Sequence, residues 1–264
     1  MVRLIICFVI VFTFVMALPV FAVNLHEETV QYSQDGNALE GYFVYDSSIK
    51  GKIPGIVIFH QWMGLTEYEK MRARMFAGLG YAVLCADIYG KGIRPSSPGE
   101  AAVMSTKFKV ETGRVMIRQR AKAALEKLKS FDVVDPEKTA AIGYCFGGEC
   151  ALELARSGAD MLGVVTFHGN LDSKYPADAK NIKAKILVLN GAADPNVPWK
   201  VVEAFSKEMD DAKIDWYMTT YGGAVHAFTQ KEAGNDPSKG AAYNENADRR
   251  SWIACKDFLE EIFK

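Results

Sequence analysis

Much that would advertise a partner is missing from this chain. Its 31 Lys and Arg residues nearly cancel 32 Asp and Glu, for a formal net charge of −1, so there is no electrostatic reason to expect nucleic acid or anionic lipid as a partner. Only four histidines occur, and no two stand at metal-ligand spacing, which argues against a His-based metal site. The five cysteines are too few for a disulfide framework, and none forms a C-x-x-C pair. No internal repeat, coiled-coil heptad or low-complexity tract is present.

The one long uncharged run, residues 4–18, has about 15 residues, short of the ~20 that a membrane span needs. It follows Arg3 and leads into Pro19-Val20-Phe21-Ala22, with small residues at the positions a signal peptidase reads. The expectation is a signal peptide over residues 1–22 and a mature domain over 23–264. The mature protein would be exported, periplasmic or secreted, with no stable membrane span; an uncleaved anchor is the alternative. Removing Arg3 takes the net charge from −1 to −2, and what remains has the size of one large α/β domain. Cys85, Cys145, Cys150 and Cys255 remain with it. Cys145 and Cys150, five apart across a turn and a helix, are not expected to bond, and an exposed thiolate in an oxidising compartment is open to oxidation.

Past the leader, strands and helices alternate. Residues 28–33 and 39–45 have strand character around Asp35-Gly36-Asn37, a hairpin signal. Residues 54–60, 81–86, 138–142, 163–167 and 185–189 are short apolar runs of the kind buried on both faces of a parallel sheet. Residues 215–221 suit a last strand. Between them, Met71, Met75, Phe76 and Leu79 predict a helix with those side chains in the core. Ile117, Ala121, Ala124, Leu125 and Leu128 predict a second, with its Lys and Arg residues on a solvated face. Ala151, Leu152 and Ala155 mark a third, over 149–156. Val201, Val202, Phe205 and Met209, after Pro198, mark a fourth, and Trp252, Cys255, Leu259, Ile262 and Phe263 a fifth. Residues 88–99, rich in Gly, Pro and Ser, read as a loop placed to cover a site. The pattern predicts an α/β fold, a mostly parallel central sheet with helices on both faces, binding its ligand at the carboxyl ends of the strands.

One stretch organises the rest: Gly143-Tyr144-Cys145-Phe146-Gly147-Gly148, between a predicted strand and a predicted helix. It has the spacing of the G-x-S-x-G nucleophile elbow, with Cys for Ser. A nucleophile on so sharp a turn needs small neighbours two residues away on each side, here Gly143 and Gly147, so that strand and helix can pass. The helix N-terminus then favours a thiolate. The alternative is a tight turn around an inert Cys. Asp194, after the strand at 185–189, and His226, after the last strand, follow in the order nucleophile, acid, base. In such a set His226 takes the thiol proton, and Asp194 fixes the imidazole tautomer. Asp194-Pro195-Asn196 also suits a plain turn and helix cap. His60 and His168 end strands too and are weaker candidates for the base. An oxyanion hole needs two fixed donors, for which the backbone N–H groups of Phe146 and Trp62 are the candidates. Trp62, Tyr89, Tyr144 and Phe146 are expected to wall an aromatic, mostly apolar pocket.

These segments resemble the dienelactone hydrolase family: the Cys elbow, Ala86-Asp87-Ile88-Tyr89-Gly90, the acid turn Gly191-Ala192-Ala193-Asp194-Pro195, and Val225-His226-Ala227-Phe228. The likeness spans approximately residues 28–264. It implies an α/β-hydrolase fold, a Cys145-Asp194-His226 triad acting on a small-molecule lactone or ester, and no metal or organic cofactor. Two positions depart from the dienelactone-cleaving members. Gln61 stands where they carry a Glu that helps deprotonate the thiol, and an amide is no base. Gln230 stands where they carry an Arg that holds the substrate carboxylate, so the strongest kind of carboxylate recognition is gone. Lys107, Lys109 or Arg114 is a candidate substitute. The expectation is direct activation of Cys145 by His226, a pocket including Gln61, Tyr89, Tyr144 and Gln230, and a neutral or differently charged ester or lactone. Thioesterase or acyl-transfer activity, and a non-catalytic binding protein on a hydrolase scaffold, are the alternatives.

Overall fold

A computed structural model describes residues 23–264 of the chain; the expected signal peptide lies outside the described residues. Eight strands form one sheet in the order β1-β2-β4-β3-β5-β6-β7-β8. The hairpin of β1 (Leu25–Gln34) and β2 (Asn37–Asp46) is antiparallel, closed by Asp35 and Gly36, both at positive φ (46° and 77°). That is the backbone a two-residue hairpin turn requires. β2 pairs antiparallel with β4 (Ala82–Ala86). The remaining pairings are parallel, among β4, β3 (Ile53–Phe59), β5 (Val134–Tyr144), β6 (Gly163–Phe167), β7 (Lys185–Gly191) and β8 (Trp216–Tyr221).

The central strands are apolar without alternation because both faces are covered. Ile56, Val57, Ile58 and Phe59 of β3 are all fully buried, and each such side chain contributes about 1.5–3 kcal/mol relative to exposure. Helices α1 (Glu67–Ala77) and α6 (Glu245–Ile262) supply Phe76, Phe258 and Leu259 to the core that also takes Ile56 and Ile58. Helices α3 (Glu111–Lys129), α4 (Phe146–Arg156) and α5 (Trp199–Asp211) supply Ile117, Ala151 and Phe205 to the core with Val57 and Phe59. Among the described residues no helix is long and apolar enough to cross a membrane.

Three local expectations are corrected. In α1, Met71 and Met75 are 36% exposed and Leu79 lies beyond the helix at 47%. The buried face is instead Tyr68, Arg72, Ala73 and Phe76, because Arg72 turns inward to reach the Thr229 carbonyl (2.8 Å) and Asp248 (2.7 Å). The supposed loop 88–99 is cut short by a further helix, α2 (Pro98–Lys109), started by the Ser97 side chain and Pro98. The basic residues of α3 are not all solvated: Arg114 and Arg120 are 2% and 7% exposed.

Strand order dictates where a ligand must sit. From β3 the chain crosses to β4 on one side and later enters β5 on the other. This reversal opens a crevice beyond the carboxyl ends of β3 and β5. His60-Gln61-Trp62 leaves the first of these strands and Cys145 the second.

Candidate functional site

Cys145 links β5 to α4 with φ 55° and ψ −118°, a conformation costly for a residue with a Cβ and tolerated where surrounding structure imposes it. The enforcing contacts are backbone ones: its N–H donates to the Phe167 carbonyl (3.0 Å), and its carbonyl accepts from Gly148 N–H (3.0 Å). The two flanking glycines are steric requirements. A Cβ on Gly143 would lie 2.0 Å from the Gly147 carbonyl oxygen, and one on Gly147 would lie 2.0 Å from that of Phe59.

The Sγ of Cys145 is 3.0 Å from His226 Nε2, and His226 Nδ1 is 2.8 Å from Asp194 Oδ2. The loop after β8 delivers His226, held by its N–H to the Gly240 carbonyl and by Ala242 N–H to its own carbonyl. Asp194 uses both oxygens. Oδ1 accepts from Asn196 N–H (2.8 Å) and closes the turn before α5, while Oδ2 faces the imidazole. The turn reading and the acid reading of Asp194 therefore describe different oxygens of one carboxylate.

Electrostatics favour an ion pair. Burial opposes a thiolate at Cys145, but the His226 charge and hydrogen bond outweigh it, together with the N–H groups of Phe146 and Trp62, and hold the thiol below its ordinary value. Burial likewise opposes an imidazolium at His226, yet the Cys145 thiolate and the Asp194 hydrogen bond raise it to about 10. The other two buried histidines are kept neutral. Desolvation, with His226 and Arg72 adding to it, drives His168 well down, and desolvation takes His60 to about 4. His168 gives its Nε2 to Thr229 Oγ1 (2.7 Å) and packs its ring edge-on at 5.2 Å from that of His226.

A cavity of about 200 Å³ opens over the thiol, lined by Trp62, Ser105, Lys109, Cys145, Phe146, Glu149, Asn170, Asn196 and His226. None of Gln61, Tyr89, Tyr144 and Gln230 lines it, but Trp62 and Phe146 do, and its wall mixes apolar and polar surface in nearly equal parts. The reasons are geometric. Tyr144 is the residue before the turn and points to the opposite face of β5, stacked at 4.7 Å on Phe167. Tyr89 lies behind the wall, its OH donating to the Trp62 carbonyl (2.8 Å). Gln61 and Gln230 meet instead at a second cavity, of about 400 Å³, with Thr66 and Tyr68. Ser105, Glu149, Asn170 and Asn196 were not foreseen, although Glu149 stands one helical turn after Cys145 and Asn196 two residues after Asp194. Of the three basic residues considered, only Lys109 lines the cavity. Arg114 lies behind Glu149 at 3.0 Å and also reaches Glu153 and Asp172.

A nucleophile elbow on a mostly parallel sheet, with a thiol, an imidazole and a carboxylate in sequence, defines an α/β hydrolase. The family model for the dienelactone hydrolase family matches residues 39–263, and the chain belongs to that family. Its fold is also that of the solved structure of m3DLH, with 37% identity, a TM-score of 0.87, and coverage of 91% of this chain and 99% of that one. A dienelactone hydrolase-like promiscuous phosphotriesterase from metagenomic libraries is 36% identical, with a TM-score of 0.84 and coverage of 91% and 100%. An uncharacterized protein of Caenorhabditis elegans is 37% identical over 150 residues, which cover 56% of this chain and 94% of the worm protein. The chain is a hydrolase of the lactone- and ester-cleaving type.

Proposed function

We propose that the protein cleaves a small carboxylic ester or lactone through a thioester on Cys145, with His226 as base and acid and Asp194 as its orienting partner. The observation that carries this reading is the unbroken chain from Sγ to Nε2 at 3.0 Å and from Nδ1 to Oδ2 at 2.8 Å. The Cys145 thiolate attacks the carbonyl carbon, and the carbonyl π pair moves onto oxygen. That oxyanion falls to the N–H groups of Phe146 and Trp62, both residues of the cavity wall over the thiol. Each such donor is worth about 10²–10³ in rate. Collapse of the adduct breaks the bond to the leaving oxygen, which takes the proton from His226 Nε2. Water then gives a proton to His226, attacks the thioester carbon and releases Sγ as thiolate.

Activation needs no carboxylate at Gln61, because the imidazole alone reaches the sulfur. The cavity over the thiol, about 200 Å³ and open to solvent on one side, admits a small ester or lactone. Ser105, Lys109, Glu149, Asn170 and Asn196 in its wall offer hydrogen bonds, and Trp62 and Phe146 offer apolar surface. Exposing the wild type and Cys145→Ala to activated esters, lactones, thioesters and a phosphotriester, with adducts read by mass spectrometry, tests the reading. The thioester belongs in the panel because the same attack would cleave it, and the phosphotriester because of the metagenomic relative. Turnover and a Cys145 adduct with esters or lactones, both lost in the variant, are expected; equal turnover by the variant would overturn the assignment. The same reading has the protein exported and matured at Val23, which N-terminal sequencing of the processed chain tests.

A further inference from the structure

We infer that His60 is a positioning residue that orients the Trp62 N–H, one of the two proposed oxyanion donors, by gripping the carbonyl on the other side of the same peptide bond. This rests on the hydrolase reading above. The ring is fully buried, and both of its nitrogens are spoken for. Nε2 receives the N–H of Ile88 at 3.1 Å, so it carries no proton. The proton is therefore on Nδ1, which donates to the Gln61 carbonyl oxygen at 2.6 Å. In a trans peptide the C=O and N–H point in opposite directions across one plane. Fixing the Gln61 carbonyl toward the imidazole, with Gly64 N–H as its second donor at 3.1 Å, thus aims the Trp62 N–H the other way, and Trp62 lines the cavity over Cys145.

Neighbouring backbone groups are held just as firmly. Gln61 N–H donates to Glu69 Oε1 (3.2 Å), and the Trp62 carbonyl accepts from Tyr89 OH (2.8 Å). The far end of the relay is braced too, since Arg120 Nη1 donates to the Ile88 carbonyl (2.6 Å). From Gln61 N–H to the Trp62 carbonyl, the Trp62 N–H is the group left for a ligand. The ring itself is fixed, edge-on to Tyr89 at 4.7 Å and beside Phe146 at 6.0 Å, and Phe146 carries the other donor. Burial keeps the imidazole uncharged down to about 4, so the tautomer persists at working pH. A donor fixed before the reaction costs nothing to reorient as charge develops on the substrate oxygen.

The test compares a probe that makes an oxyanion with one that does not. A short trifluoromethyl ketone adds the Cys145 thiolate and leaves the charge on oxygen, whereas iodoacetamide alkylates the sulfur without forming one. His60→Phe keeps an aromatic ring against Tyr89 and Phe146 and loses both nitrogen contacts. It should weaken the ketone adduct and lower kcat roughly tenfold to hundredfold, while KM and the iodoacetamide rate on its alkaline plateau, where the thiol is fully ionised, stay near wild type. His60→Gln, which can both donate and accept, should recover part of the loss. Equal ketone affinity in wild type and both variants would overturn the inference. Should the Phe variant not fold, the Gln variant and ¹⁵N NMR of the wild-type imidazole still decide: a proton found on His60 Nε2 overturns it, and one on Nδ1 upholds it. Failure of the wild type to form any ketone adduct would instead count against the hydrolase reading beneath it.

Discussion

Helices α1 and α4 both begin at the carboxyl edge of the sheet, and their first turns are built in opposite ways. At α1, Thr66 and Glu69 form a capping box. Thr66 Oγ1 accepts from Tyr68 N–H (3.3 Å), and Glu69 Oε2 accepts from Thr66 N–H (2.8 Å) and from its hydroxyl (2.7 Å). The reciprocal bonds of the capping box satisfy donors that the helix end would otherwise leave open. At α4 the N-cap is Cys145, strained at φ 55° and making no side-chain cap bond. The N–H of Phe146 is left to act on the sulfur. A helix end closed on itself contributes stability; one left open offers its dipole and donors to a reacting group.

Substitutions at the open end should therefore cost activity first. Cys145→Ala removes the proposed nucleophile, and turnover of an activated ester should fall by roughly 10³ or more, read as initial rates beside the wild type. Cys150, one turn further along, sharpens the contrast. It is fully buried, and desolvation together with Glu149 and Glu153 pushes its thiol well up. One equivalent of iodoacetamide should label Cys145 at neutral pH, and Cys150 should react only after denaturation. Labelling of Cys150 in the native state would break the comparison.

The next effect is at Asp194. Asp194→Asn keeps the shape, but the amide no longer stabilises an imidazolium or enforces the Nδ1–H tautomer, and kcat should drop roughly 10²–10⁴-fold. The pH profile should show the cause, as follows from the two shifted groups. In the wild type, activity declines as pH falls through the lowered Cys145 value, because the thiolate is reprotonated. It declines again as pH rises through about 10, where His226 gives up the proton that the leaving oxygen needs. In Asp194→Asn the His226 value falls, so the alkaline limb moves down. A less charged imidazole supports the thiolate less, so the acid limb moves up. Rates across pH check whether the active window narrows from both sides.

How much of this was written in the sequence depends on how local each cause is. The buried strands, the Cys145 elbow and the order of Asp194 and His226 follow from short-range patterns, and the sheet and site geometry agree with them. The family match lies on the same segments. Helix α2 escaped because it has little apolar stripe; Val103 is 75% exposed, and its start is hidden among Gly, Pro and Ser. The inward face of α1 was misassigned because Arg72 is buried by partners more than 150 residues away, Thr229 and Asp248. The polar part of the cavity wall escaped for a similar reason. Ser105 and Lys109 come from α2, Glu149 from α4, and Asn170 and Asn196 from the turns after β6 and β7. No single segment announces that convergence. Tyr144 is next to Cys145 in sequence but packs in the core of the opposite sheet face, because one residue of strand turns a side chain to the other side.

The smallest effect belongs at the closed end. Thr66→Ala deletes the acceptor for Tyr68 N–H and the hydroxyl donor to Glu69, while Glu69 keeps the Thr66 backbone N–H and Gln61 N–H. Loss of such a cap costs about 1 kcal/mol, measurable as a lower midpoint in urea with an unchanged slope. Turnover at temperatures where the variant is folded should stay close to wild type, because Gln61 is still held by Glu69 and His60. If Thr66→Ala lowered kcat as strongly as it lowered stability, the α1 terminus would be part of the catalytic apparatus and the division between the two helix ends would fail. A stability change alone would place the function of the α1 cap in holding the fold, and leave the N-terminus of α4 as the end kept open for chemistry.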